Sequence, residues 1–119
     1  MRADSPIVLI HWQPEELETM AAELRAAGCS VRGVSDVNAL DMAKLRAAPP
    51  AAVVISLRRL PSHGREVADA LCSTQWGRAI PIVFADGAPD KVEALRARFA
   101  AASFLRWTEI VAGCSAGKP

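Results

Sequence analysis

No run of apolar residues in this chain approaches the roughly 20 that a membrane-crossing helix needs. Its longest apolar stretches, such as Pro6-Ile7-Val8-Leu9-Ile10, are of strand length, so no membrane attachment is expected. Cysteine is scarce: Cys29, Cys72 and Cys114 form an odd, widely spaced set with no CxxC pair. That pattern points to neither a disulfide framework nor a zinc site, and the three are expected as small buried or half-buried residues. An excess of one charge is also missing, since 14 Lys and Arg stand against 13 Asp and Glu. With no basic cluster and no reading helix, nucleic acid is not an expected partner. The first apolar run is not followed by a G-x-G-x-x-G fingerprint, and no G-x-S-x-G elbow occurs, which removes the common dinucleotide and hydrolase signatures.

What remains is the composition of a folded domain. The chain has 119 residues, 51% apolar and 23% charged, enough to bury about two thirds of the unfolded surface in one core. A single domain over residues 1–119 is expected, with 113–119 as a flexible tail. The opening Met1-Arg2-Ala3-Asp4-Ser5-Pro6 leads into a strand-sized segment rather than the longer apolar core of a secretory signal, and a cytoplasmic location is the resulting expectation.

Strand and helix signals alternate along the chain. Pro6-Ile7-Val8-Leu9-Ile10 is continuously apolar, the pattern of a parallel strand covered on both faces. Pro14 then suits a first helical turn and Glu15 and Glu16 its positive end, while Leu17, Met20, Ala21 and Leu24 recur at helical spacing as far as Gly28. Residues 29–34 read as a second strand. Ser35 or Asp36 reads as the cap of a second helix that runs to about Ala48, where Pro49-Pro50 stops it. Ala51-Ala52-Val53-Val54-Ile55 is a second buried-strand run. After the loop from Ser56 to Gly64 comes a third helix, capped by Ser62, with Val67, Ala70, Leu71 and Trp76 inward and Gly77 closing it. Ile80-Pro81-Ile82-Val83-Phe84 is the fourth strand, with Pro81 at its first residues because proline cannot donate to a ladder. A helix with Val92, Leu95 and Phe99 inward and Arg96 and Arg98 outward follows. Ser103-Phe104-Leu105 is the fifth strand, and a short last helix is expected from Thr108 to about Ala112.

This alternation predicts an α/β fold with right-handed crossovers and helices on both faces of a parallel sheet. Such folds place their sites beyond the carboxyl ends of the strands, where the strand order reverses. The residues there are Ile10-His11-Trp12, Ile55-Ser56-Leu57, Phe84-Ala85-Asp86 and Leu105-Arg106-Trp107.

Residues 7–14 resemble the first strand and acidic turn of a response-regulator receiver domain. Residues 53–71 resemble its acceptor strand, loop and third helix, with Leu60-Pro61 and Gly64 in place. The resemblance spans nearly the whole chain and implies a doubly wound, flavodoxin-like five-stranded sheet in the order 2-1-3-4-5, here with a short or truncated last helix. In active receivers an acidic pair holds Mg²⁺ and a carboxylate at the end of the third strand accepts a phosphoryl group. Here His11-Trp12 occupies the place of the acidic pair. Ser56 stands at the acceptor place if Gly64 sets the register, or Leu57 if Pro61 does. Ala85 stands where a hydroxyl or small residue is expected, and Arg106 or Trp107 where a lysine is. Without a carboxylate, a base or a metal, a serine is a poor nucleophile toward phosphohistidine.

The resemblance therefore implies a degenerate receiver-like signalling module that works by protein–protein contact without aspartyl phosphorylation. On this reading it is expected to be no enzyme, to take no cofactor or metal, and to have another protein or a second copy of the chain as its partner. The alternative is an anion or small-ligand sensor, because His11, Arg58, Arg59 and Arg106 fall at or near strand ends and could make the rim basic. Trp12 and Trp107 are expected either to fill the pocket or to pack in the core, with Trp76 packing at a helix end. The adjacency of Ser62 and His63 does not make a hydrolase, because no acid is placed by motif to orient the histidine.

Overall fold

The computed structural model describes residues 6–36, 40–58 and 61–116, with the side chains of 61–64 and 115–116 outside that description. Five strands alternate with helices: β1 (Ile7–Ile10), α1 (Pro14–Ala26), β2 (Val31–Val34), α2 (Met42–Ala47), β3 (Ala52–Ser56), α3 (Pro61–Cys72), α4 (Gln75–Arg78), β4 (Ile82–Ala85), α5 (Pro89–Arg98), β5 (Ser103–Leu105) and α6 (Trp107–Ala116). All strands are parallel and the sheet order is β2-β1-β3-β4-β5. The order reverses between β1 and β3, which opens the crevice at their carboxyl ends.

The sheet is covered on both faces. Val8, Ile10, Val53, Ile55, Ile82 and Phe84 point to the side of α2, α3 and α5, where Leu45, Val67, Ala68, Leu71, Leu95 and Phe99 meet them. Ile7, Leu9, Val54 and Ala85 point to the other side, against Leu17, Met20, Ala21 and Leu24 of α1 and Trp107, Ile110 and Cys114 of α6. Burial on both faces is why β1 and β3 are continuously apolar rather than alternating. Phe84 anchors the larger core, its ring 5.1 Å from Phe104 and 5.7 Å from Phe99.

Local chemistry sets most element ends. Gln13 caps α1 by accepting from the Glu16 amide at 2.6 Å. Gly28, at φ 110°, ends it with paired bonds from the Gly28 amide to the Arg25 carbonyl and from the Cys29 amide to the Leu24 carbonyl, a Schellman closure that needs the left-handed conformation. Pro81 stands just before β4, and its carbonyl accepts from the Val53 amide at 2.9 Å.

Several boundaries differ from the sequence-based expectations. Asp41, not Ser35 or Asp36, caps α2, accepting from the Ala43 and Lys44 amides. Helix α3 already begins at Pro61, so Ser62 lies within its first turn rather than before it. It also ends at Cys72, and Thr74 caps a separate one-turn helix by accepting from the Gly77 amide at 3.0 Å. On α3 it is Ala68 that is buried, while Ala70 is exposed. Gly77 is no ordinary turn glycine, because a Cβ there would lie 2.2 Å from the Leu71 carbonyl oxygen.

The largest difference is at the last helix. Helix α6 does not stop near Ala112 but runs through Gly113 to Ala116, so residues 113–116 are helical and 117–119 lie outside the described residues. Cys114 on its inner face is 4% exposed and is disulfide-bonded to Cys29, with a Cα–Cα distance of 5.6 Å. The expectation of three unpaired cysteines thus holds only for Cys72.

Candidate functional site

At the reversal point three strand ends form a row. His11 follows β1 directly and its amide donates to the Val34 carbonyl at 3.1 Å. Ile10 pairs with Ile55, and Ser56 pairs with Ala85, so one further step of the same register sets His11 beside Ser56. Side chains alternate along a strand, so His11 follows Ile7 and Leu9, Ser56 follows Val54, and Ala85 follows Val83. All three therefore project on the α1/α6 side. Leu57 projects on the opposite side, into the core with Ile55 neighbours and Val92. Of the two residues at the end of β3, only Ser56 shares the row with His11 and Ala85.

The row is buried and its polar groups are partly engaged. His11 is 1% exposed, Ser56 6% and Ala85 1%. His11 Nε2 lies 2.7 Å from Glu16 Oε1; a carboxylate can only accept, so Nε2 carries the hydrogen. Glu16 is placed for this by the local fold, because Gln13 holds its amide and sets the first turn of α1 against the end of β1. Ser56 Oγ accepts from the Arg58 amide at 3.3 Å. Two buried ring nitrogens, His11 Nδ1 and Trp12 Nε1, have no partner among the described residues. Trp12 is half-buried, its ring 6.4 Å from that of His11.

Asp86 organises the far side of the crevice. Its backbone is left-handed, at φ 61°, a conformation that Asp tolerates better than most residues. One carboxylate oxygen takes the Arg58 guanidinium Nε at 3.0 Å and the other accepts from the Trp107 amide at 3.0 Å. Asp86 therefore acts as a cap, but for α6 rather than for the helix that follows it in sequence. Glu109 completes that helix start, its carboxylate accepting from the Arg106 amide at 2.9 Å, in the manner of a capping box. The Arg106 side chain is exposed, and Arg59 lies outside the described residues.

Trp107 packs in the core rather than over the crevice. It is 7% exposed, and its Nε1 donates to Glu23 Oε2 at 2.7 Å. Glu23 stands nine residues beyond Pro14 in α1, about 13 Å along the helix axis at 1.5 Å per residue. The indole is thereby tied into the seam between α1 and α6.

These residues do not fit a Mg²⁺ ion. A hard cation of this kind takes oxygen ligands, usually one or two carboxylates. The positions after β1 and β3 offer His11, Trp12 and Ser56; Glu16 is bound to His11, and Asp86 to Arg58 and the α6 amide. Among the described residues no group of three or more His, Cys, Asp or Glu could hold a metal. A base–nucleophile pair is likewise not formed: His11 Nδ1, the ring nitrogen left to act as a base, has no hydrogen-bond partner among the described residues and so is not bonded to Ser56 Oγ.

Two functional contacts escaped the sequence reading. Glu16 was legible only as a helix-start acid, although the third position of a helix that follows a strand directly looks back at that strand's end. Asp86 was legible as a residue at the end of the fourth strand, but its contact with Trp107, 21 residues on, depends on the β4–β5 pairing.

No family model and no curated protein matches the sequence. Solved structures do. The bacteriophytochrome response regulator RtBRR superposes with a TM-score of 0.71 at 20% identity, covering 97% of this chain and 79% of that one. The bacteriophytochrome response regulator AtBRR gives 0.69 at 20% identity over 97% and 94% of the two chains. A receiver domain of a sensor histidine kinase from Pseudomonas aeruginosa, with magnesium coordinated in its active-site cleft, gives 0.63 at 19% identity over 94% and 95%. Identities this low speak for architecture, and together with the 2-1-3-4-5 sheet they establish that this chain has the fold of a response regulator receiver domain.

Proposed function

We propose that this chain is a receiver-fold signalling module that acts by protein contact and is not phosphorylated at the end of its third strand. The observation that carries this reading is the acid-free row His11, Ser56 and Ala85, each under a tenth exposed. Phosphoryl transfer to a receiver needs an attacking carboxylate and a metal that neutralises the charge on the transferred group. The magnesium-bearing cleft belongs to the Pseudomonas aeruginosa receiver; here the corresponding strand ends hold an imidazole, a hydroxyl and a methyl group. The reading also makes the chain a non-enzyme.

The contact half of the reading draws on β5. It is an edge strand of the sheet, and Leu105 on it is a large hydrophobic residue at 37% exposure. A second copy of the chain is the simplest partner, since one apolar strip meets its own image across a two-fold axis. The anion-sensor alternative draws less support, because carboxylates already face His11 and Arg58 and lower the positive potential an anion would meet.

Two experiments test the halves separately. Calorimetric titration with Mg²⁺ should give no saturable heat; a one-site isotherm abolished by Asp86→Ala would overturn the metal-free reading. Light scattering should give a mass that rises with concentration and falls in Leu105→Arg. A monomer at every concentration would overturn self-association through β5.

A further inference from the structure

Helix α6 is held very differently at its two ends. At its start the Asp86 carboxylate takes the Trp107 amide, Glu109 takes the Arg106 amide, and the Trp107 indole donates to Glu23. Ile110 is buried beneath the next turn. Beyond it the sequence runs Val111-Ala112-Gly113-Cys114. Val111 is only half-buried, Ala112 is exposed, and Gly113 has nothing within 4 Å of where a Cβ would stand. A glycine inside a helix weakens it through its backbone entropy. Among the described side chains of the last turn, it is therefore Cys114 and its bond to Cys29 that tie it down.

Cys29 sits at the other end of that bond in a fixed place. It is the residue after Gly28 in the Schellman closure of α1, with its amide bonded to the Leu24 carbonyl at 3.0 Å. The Cα–Cα distance of 5.6 Å is within the range a disulfide spans without backbone movement. The two residues differ in exposure: Cys29 is half-buried, whereas Cys114 is 4% exposed.

We propose that Cys29 and Cys114 form a reversible thiol–disulfide exchange site, whose co-reactant is a low-molecular-weight thiol/disulfide couple, and that its redox state sets the order of the last turn of α6. In reduction, an external thiolate attacks the sulfur of Cys29, the more exposed of the two residues; the Sγ–Sγ bond breaks and Cys114 leaves as a thiolate that takes up a proton. A second external thiolate then attacks the external sulfur of the mixed disulfide and releases Cys29, which is protonated in turn. Two electrons and two protons pass to the protein, and the two external thiols become one disulfide. Oxidation runs the same steps backwards. With the bond cut, the start of α6 keeps its caps and its indole anchor, while the turn beyond Ile110 loses its tether and frays. The inference does not depend on whether the strand ends accept a phosphoryl group.

The test uses the full chain carrying Cys72→Ser, which removes the third thiol. Equilibration in glutathione buffers of graded thiol-to-disulfide ratio, followed by alkylation and mass measurement, should show Cys29 and Cys114 becoming modified together in one two-electron transition. Hydrogen exchange of the reduced protein should then show amides of the last turn of α6 at least about tenfold faster, with β1 and β3 still protected in a folded chain. The double variant Cys29→Ser/Cys114→Ser should exchange like the reduced form in any buffer. If that variant does not fold, the reduced and alkylated parent chain supplies the same comparison. A bond that stays intact in the native protein throughout the glutathione series would overturn the proposal. So would reduced protein with unchanged exchange in α6, or global unfolding on reduction, which would make the bond a structural staple.

Discussion

Replacing Trp107 by phenylalanine should cost about 2 kcal/mol, and the structure says how that total divides. Trp107 is 7% exposed and packs with Leu17, Met20, Leu24 and Ile110 in the smaller core. Phenylalanine keeps a ring but leaves part of the indole volume empty, a loss of about 1 kcal/mol by the usual cavity cost. The rest is the 2.7 Å bond from Nε1 to the Glu23 carboxylate. Bonds to charged groups contribute about 1.5–3 kcal/mol, but Glu23 is exposed and solvent screening lowers this to about 1 kcal/mol. Urea denaturation followed by far-UV circular dichroism measures it. Glu23→Ala alone should cost about 1–2 kcal/mol, because it leaves the indole N–H without its acceptor. In the Trp107→Phe background the same change should cost only a few tenths, a coupling of about 1 kcal/mol. The difference should also appear as a melting shift of about 3–6 °C for each kcal/mol at this chain length. Additive single and double variants, within about 0.3 kcal/mol, would refute the claim that the indole bond joins α6 to α1.

Other substitutions probe particular contacts. Gly77→Ala should destabilise by about 2–3 kcal/mol in thermal or denaturant unfolding, because the new Cβ meets the Leu71 carbonyl at 2.2 Å and overpacking against backbone cannot relax by a rotamer change. Gly113→Ala should do the opposite, raising stability by about 0.5–1 kcal/mol, since the site is helical and open and alanine is the better helix former. Asp86→Ala should cost about 1–2 kcal/mol through the lost cap on α6 and the unfavourable φ of 61° for alanine. Asp86→Asn should recover part of that loss because asparagine still accepts and tolerates the left-handed region; unchanged stability in both would show that the cap is not made. Removing the Cys29–Cys114 bond by double serine substitution should lower stability by about 4–5 kcal/mol in the chain-entropy account for a separation of 85 residues, read from unfolding in denaturant.

The sheet was readable because parallel strands buried on both faces must be apolar throughout. Ile7–Ile10 and Ala52–Ser56 show this directly, and Pro81 could only stand ahead of its strand. Helix α1 was readable for a different reason: Pro14, the first-turn acids and Gly28 each mark a boundary by local chemistry. Where two local signals competed, the reading slipped. Ser35 or Asp36 was read as the cap of α2, whereas Asp41 takes that place by accepting from the Ala43 and Lys44 amides. Thr74 restarts a helix three residues before Gly77, and nothing local announces that Gly77 lies against the Leu71 carbonyl. Three of the missed contacts are long-range. Cys29–Cys114 and Trp107–Glu23 join segments that meet only once α1 and α6 lie side by side on the sheet, and Asp86–Trp107 joins the ends of β4 and β5, which meet through their pairing. At the site itself, the identities of the strand-end residues were legible, whereas their partners were not: the His11–Glu16 pair depends on how Gln13 turns the chain into α1.

The central claim is that a receiver fold has been kept while its strand ends no longer support phosphoryl transfer. Incubation of the purified chain with acetyl phosphate and Mg²⁺, followed at once by intact mass measurement under mildly acidic conditions, tests it most directly. The expected spectrum shows the unmodified mass alone, with the Ser56→Ala variant behaving identically. A phosphoryl adduct that requires Mg²⁺ and maps to Ser56, or to any residue bordering the row of His11, Ser56 and Ala85, would contradict the account.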